Sequence, residues 1–234
     1  YSVGPGTKAG GPNYLMGLGS WRRSAATVDL AGNQADDTLR DIATLTAGED
    51  EQARSFLERS LASDHQAWTG VFGVSTDPSG LGVERNVFRY RPTEVTIRAE
   101  SFVLVSEIVR VCLAGMCAGA RMHLSLNDPL PNEVVGALRQ GAKGLGSVLS
   151  YTVELDREFV DRVAGNPPSR IRLLAARADA MAVAFDGAPE IALYGHEVTE
   201  SGRVEMLPFV KEQAVSITAH RFGAPDPRFA NLAV

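Results

Sequence analysis

Between Glu94 and Gly195 the chain alternates strand-like and helix-like segments without a break, and no other feature restricts the architecture as much. Val95-Thr96-Ile97-Arg98 alternates as a strand does, Phe102 to Cys117 is apolar over the broad face of a buried helix, and "RMHLSL" at 121–126 predicts a second strand. Asn132 suits an N-cap for a helix through Lys143, with Val134, Val135, Leu138 and Ala142 inward. The glycine cluster "GAKGLG" at 141–146 follows that helix and reads as its C-terminal cap. Leu149, Tyr151, Val153 and Leu155 alternate with polar residues as a third strand, and Asp156 is placed to cap a short helix carrying Phe159, Val160 and Val163. Gly165-Asn166-Pro167-Pro168 stops that helix, after which "RIRLLA", residues 177–185 and "EIALYG" supply a strand, a helix and a strand. Strands separated by helices of this length pair in parallel through right-handed crossovers. The expected fold is therefore α/β, a Rossmann-like parallel sheet with helices on both faces.

Such a sheet does not by itself imply a nucleotide. In these folds the phosphate sits on the turn after the first strand, and here that turn is Ala99-Glu100-Ser101, without glycine and with a carboxylate where an anion would approach. Near the start, Gly4-Pro5-Gly6-Thr7-Lys8-Ala9 satisfies the letters G-x-G-x-x-A, but three residues precede Gly4 and Gly10-Gly11-Pro12 interrupt the helix such a cradle needs. A structural turn is the better reading.

The flanking regions are less regular. Residues 20–46, around "VDLAGNQADDTLRD", lack sustained periodicity and read as a connecting segment. From Glu49 to Trp68 an amphipathic helix is expected, with Ala53, Phe56, Leu57, Ser60, Leu61 and Asp64 on one face and Glu49, Asp50 and Glu51 in its first turn. "GVFGVSTDPSGLG" marks a boundary near residue 80. After Gly195, "HEVTESGRVEML" places Ser201-Gly202 between two mixed runs, which predicts a projecting β-flap at about 195–210, and "AVSITAHRFG" at 214–223 predicts a last strand. The resulting division is 1–20, a helical linker over 21–80, and an α/β domain over 81–234.

The residues that could carry chemistry do not cluster. His65, His123, His196 and His220 stand apart from one another and from any zinc-like spacing. Cys112 and Cys117 lie five apart on one helix, a rise of about 7.5 Å, beyond the reach of a disulfide and without a neighbouring base. Asp36-Asp37 and Glu49-Asp50-Glu51 read as solvated or helix-start charges. Arg203, Glu205, Glu212 and Arg221, around the expected flap, suit interface contacts. No catalytic, cofactor-binding or metal-ligating residue is assigned.

Composition narrows the partners. Lys and Arg number 23 against 28 Asp and Glu, a net charge of -5 with the basic residues scattered, which argues against nucleic acid and against an anionic membrane surface. No run approaches the roughly 18 apolar residues of a membrane span, and no signal-peptide pattern opens the chain. A cytoplasmic protein with small-molecule or protein partners is expected. The chain opens on Tyr1 rather than Met, so an upstream portion is expected too.

The opening stretch "SVGPGTKAGGPNYL" resembles the segment that closes the catalytic domain of L-glutamate γ-semialdehyde (1-pyrroline-5-carboxylate) dehydrogenases, through Gly4, Lys8, Gly10, Gly11, Pro12 and Tyr14. It departs by having Ser2-Val3-Gly4 where that family has Ser-Gly. "DPSGLGVERNVFRYRP", "RIRLLAARADAMAVAFDGAPEIALYG" and "VTESGRVEMLPFVKEQAVSITAHRFG" resemble the C-terminal domain of the longer bacterial proline utilization A proteins and related actinobacterial dehydrogenases. That resemblance implies a fold similar to a catalytically inert half of an aldehyde dehydrogenase, with its β-flap. It also implies a parent that uses NAD, and FAD where a proline dehydrogenase domain is present, to carry proline toward glutamate. The cysteine nucleophile, the cofactor site and the site for L-glutamate γ-semialdehyde would lie upstream of Tyr1. This chain would supply architecture, packing on the upstream dehydrogenase domain, with a homo-oligomer possible; an oligomerisation or interaction module is the alternative.

Overall fold

The structure is a computed structural model, and it describes residues 36–81, 84–176 and 178–218, with Gly6, Gly11, Asn13 and the backbone of 220–221 and 224–225. Five parallel strands make the central sheet: β2 (Glu94–Ala99), β3 (Arg121–Leu126), β4 (Val148–Val153), β5 (Arg170–Leu174) and β6 (Ala192–Tyr194), in the order β4-β3-β2-β5-β6. The first of these strands lies in the middle and the order reverses beside it. That is the doubly wound arrangement the alternation predicted.

The inward alternation of each strand divides the core into two layers. Val95, Ile97, Met122, Leu124 and Leu126 face α3 (Val105–Cys117) and α4 (Asn132–Gly144), whereas Ile171 and Leu173 face α5 (Asp156–Gly165) and α6 (Ala178–Ala184), where Phe159, Val163, Met181 and Phe185 join them. Both faces of the sheet are thus covered. The interior strand β5, between β2 and β6, is buried at all five positions, which is why "RIRLL" shows no alternation.

Two helices precede the sheet and join its larger core. α2 (Glu51–Ala67) starts two residues later than expected, with Asp50 as its cap accepting from the N–H groups of Gln52 and Ala53, and it continues into a π-helical turn at Trp68–Phe72. α1 (Asp37–Ala47) lies in what reads as a connecting segment. Its apolar face is Leu39, Ile42, Ala43 and Ala47, a stripe too short to stand out from the polar residues around it. Asp36 caps it by accepting from Thr38 N–H at 2.8 Å.

Three further local expectations shift by a residue or more. α4 begins at Asn132 behind Pro131, so Asn132 is its first helical residue and not its cap. α4 extends through Gly144, and Gly146, at φ 74, is the glycine in left-handed backbone beyond it. Asp156 likewise opens α5 without capping it. The helix is closed instead by Glu158, which accepts from Leu155 N–H at 2.9 Å, while Asp156 turns to Arg98.

The largest correction concerns the flap. Residues 195–210 contain no hairpin: Gly202–Glu205 is a short helix, α7, and Leu207–Phe209 a 3-10 turn, both buried. The antiparallel ribbon is formed elsewhere, by β1 (Glu84–Pro92) pairing with β7 (Val210–Thr218) across nine residue pairs. Local alternation in "HEVTESGRVEML" mimicked a hairpin. Burial of Val204, Glu205 and Met206 decided against it.

Candidate functional site

The segment from Gly195 to Phe209 is held down by buried charge. Arg172 on β5 and Glu205 on α7 form a two-pronged ion pair, Nη2 to Oε1 at 3.0 Å and Nε to Oε2 at 3.2 Å, and neither side chain reaches solvent. Burial alone would raise the Glu205 carboxyl, but Arg172, the neighbouring His196 ring and the charge of Arg110 hold it down to about 2. Arg172 also donates to the carbonyls of Tyr194 and His196, and Glu205 accepts from Thr199 N–H at 2.9 Å. The pair therefore pins both ends of the turn.

A second pair anchors the same segment to the helices. Arg110 on α3 donates to both oxygens of Asp64 on α2, at 2.7 and 2.9 Å, and to Thr199 O at 2.9 Å. Desolvation lifts Asp64 to about 6 while Arg110 pulls against it, so the carboxylate is ionised at neutral pH. Gly202 sits so close to α2 that a Cβ would stand 2.5 Å from Ser63 O and 2.7 Å from Asp64 Cα. Its N–H donates to Ser63 Oγ at 2.9 Å.

The ribbon is tied at its base. Arg170 donates to the carbonyls of Leu207, Pro208 and Val210, fixing the start of β7. Tyr90 and Glu212 are register partners across the two strands. Asn13, fully buried, donates to Tyr90 Oη at 2.6 Å and to Glu212 Oε1 at 3.0 Å. One side chain from the opening glycine-rich motif thus straddles both strands of the ribbon.

Beside the ribbon lies a cleft of about 650 Å³, floored by Leu61, Trp68, Phe72 and Met116 with His65 and Cys117 on its wall. Burial pushes the thiols of Cys112 and Cys117 up to about 12, so neither is a nucleophile at neutral pH. The cleft can hold an apolar group but offers no activated atom to attack one.

At the carboxyl edge of the sheet, Glu100 spends its N–H on Leu174 O at 3.3 Å and Phe102 holds φ 76. Arg98, buried on β2, engages protein through both terminal nitrogens: it meets Ser125 Oγ at 2.9 Å, Glu154 O at 3.0 Å, Asp156 Oδ1 at 2.5 Å and Asn127 Oδ1, with its guanidinium 4.8 Å from the Phe159 ring.

The remaining sequence-named residues are dispersed. His65 ends α2, His123 Nδ1 lies 2.8 Å from Ser150 Oγ, and His196 Nε2 lies 3.4 Å from Glu205. Arg203 stacks 5.9 Å from the Phe72 ring, and Asp37 and Glu51 pair with Arg40 and Arg54 on their own helices. The side chains of His220 and Arg221, and Gly4, Lys8, Gly10, Pro12 and Tyr14, fall outside the described residues. Among the described residues no three His, Cys, Asp or Glu side chains converge as metal ligands, and no helix is long and apolar enough to cross a membrane. Sequence reasoning missed Arg98, Arg110 and Arg172 as buried charges. The available signal was arginine set within an apolar run, one in "VTIRA", one in "IVRVCL" and two in "RIRLL".

No family model and no curated protein matches the chain. Among solved structures it is similar to proline utilization A from Corynebacterium freiburgense, at 31% identity and a TM-score of 0.62 over 94% of this chain and 18% of that one. A Bradyrhizobium japonicum proline utilization A variant aligns at 17% identity and a TM-score of 0.49, over 67% of this chain and 19% of that chain. An aldehyde dehydrogenase from Brucella melitensis aligns at 18% and 0.43, over 66% of this chain and 35% of that chain. The chain therefore spans less than a fifth of the Corynebacterium protein's length.

Proposed function

The chain is a region of the proline utilization A type, and on that premise we propose that it is the C-terminal, non-catalytic part of an enzyme that oxidises L-glutamate γ-semialdehyde to glutamate with NAD. Its role is to close over the dehydrogenase site and the path by which the intermediate arrives. The observation that carries this reading is Asn13. It belongs to the motif that, by resemblance, ends the catalytic domain, and it is bonded to Tyr90 and Glu212 on opposite strands of the ribbon. A cover tied to the catalytic domain in this way moves with it.

The chemistry belongs to the parent: an upstream thiolate would form a thiohemiacetal, hydride would leave to nicotinamide, and a glutamate would activate the deacylating water. The residues here hold the ribbon and α7 in place. In this reading the isolated 234-residue chain turns over no aldehyde, and its deletion from the parent lowers the rate of glutamate formation from proline. A coupled assay that runs undiminished after the deletion ends the proposal.

The outer edge of β7 favours a second reading, an arm that pairs chains by strand addition, because no described strand covers it. Light scattering on the parent with and without this region separates the two. A pure assembly arm changes mass and leaves activity per site unaltered.

A further inference from the structure

The carboxyl edge of the sheet has lost the features of a nucleotide cradle and gained those of a protein contact. Ala99, Leu126 and Val153 are register partners across β2, β3 and β4, so the turns that follow them leave the sheet along one line. They are bonded to each other there, Asn127 N–H to Ala99 O at 3.2 Å and Glu154 N–H to Leu126 O at 2.9 Å. On this edge Phe102 is 100% exposed, Leu155 65%, Leu104 62% and Val153 45%. These are four of the nine exposed large apolar side chains among the described residues, gathered on one face instead of scattered. Phe102 also holds a positive φ of 76, backbone that a bulky residue adopts only where its surroundings compel it.

The charge on the same edge selects what covers it. Glu100, Asp128 and Glu158 lie in the same turns as the apolar side chains, and Arg157 is the lone cation in the turns 100–104, 127–131 and 154–158. Two copies meeting through this face would bring carboxylates together, and an anionic membrane or a pyrophosphate meets the same repulsion. A surface that sets Lys or Arg around an apolar hollow complements it.

We infer that this edge, with Phe102 at its centre, is a docking face for a basic-rimmed apolar surface of the dehydrogenase module of the same parent. The inference rests on the proposed function for the identity of the partner, and adds which face is covered and by what chemistry. Phe102 fills the hollow while Glu100, Asp128 and Glu158 pair with the surrounding cations. The corner that would bind an anionic cofactor in an active Rossmann fold here binds a cationic protein surface.

Cysteine labelling tests it on intact proteins. Phe102→Cys and, as a control on the distant exposed α6 position, Val183→Cys are introduced separately into the parent and into the 234-residue chain, with a maleimide as probe. Labelling is read at each introduced position by peptide mass, so that neither Cys112 and Cys117, pushed up to about 12, nor any upstream cysteine enters the readout. Both positions label fast in the chain. In the parent the 102 position slows at least tenfold and the 183 position does not, and adding Glu100→Lys with Glu158→Lys restores most of the 102 rate. Equal labelling at 102 in chain and parent overturns the docking face, protection that ignores the charge reversals overturns the basic partner, and protection that grows with concentration of the isolated chain assigns the face to a second copy. Loss of the lid role in the coupled assay with position 102 still protected would sink the proposed function and leave this inference standing.

Discussion

Glu205 and Arg172 face each other through two hydrogen-bonded contacts, 3.0 and 3.2 Å, with both side chains cut off from water. Removing one partner strands the other charge in a low-dielectric interior, which costs about 3–5 kcal/mol. Glu205→Ala is therefore expected to lower the urea midpoint far more than the double change Glu205→Leu with Arg172→Met. Equal losses would show that the pair is worth its net attraction and not its mutual neutralisation.

The same pair sets the acid limit of the fold. Glu205 is held at about 2 in the folded chain against an ordinary value of 4.5. A depressed carboxyl binds fewer protons folded than unfolded, so its contribution is complete above pH 4.5 and is lost as pH falls toward 2. That contribution is on the order of 3 kcal/mol. Asp64 acts oppositely, since its raised value of about 6 makes its share of stability decline as pH climbs from 3.8 to 6. Stability measured from pH 2 to 5 should rise with pH in the parent sequence and rise less steeply in Glu205→Gln.

Gly202 leaves no room for a methyl group, its Cβ position lying 2.5 Å from Ser63 O. Gly202→Ala should push α7 from α2 and cost about 1–3 kcal/mol. Gly70→Ala, where nothing stands within 4 Å, is the control and should be close to neutral. Thermal melts of the two variants read the difference directly.

Asn13 holds the ribbon through two hydrogen bonds, of 2.6 and 3.0 Å. Asn13→Ala loses both and leaves the Glu212 carboxylate without its amide donor. Amide exchange in β1 and β7 should accelerate at least tenfold while β2, in the centre of the sheet, keeps its protection. Unchanged exchange in the ribbon would show that Arg170 alone suffices to hold it.

Cys112 and Cys117 should resist a disulfide-exchange reagent at pH 8 for as long as the chain is folded, because burial pushes both thiols up to about 12. Both should react promptly in denaturant. A rapid native reaction at Cys112 would place an accessible thiol where the packing allows none.

The elements between β2 and β6 could be read directly because their evidence is local: an apolar period of two or of 3.6 residues shows on which side a segment will be buried, whatever buries it. From that the parallel sheet and its crossover helices on both faces follow, while the strand order came from the structure. The unsuitability of Ala99-Glu100-Ser101 for an anion was equally a local fact, one charge on one turn. What only the tertiary structure decided is long-range. The ribbon pairs residues such as Asn86 and Ser216, 130 positions apart in sequence, and "AVSITAHRFG" alone predicts a strand without naming the partner it pairs with. Arg98, Arg110, Arg172, Asp64 and Glu205 could become core residues only once the fold brought each charge its partner. An isolated charge belongs in water, and its sequence neighbours cannot say otherwise, because the group that neutralises it arrives from another part of the chain.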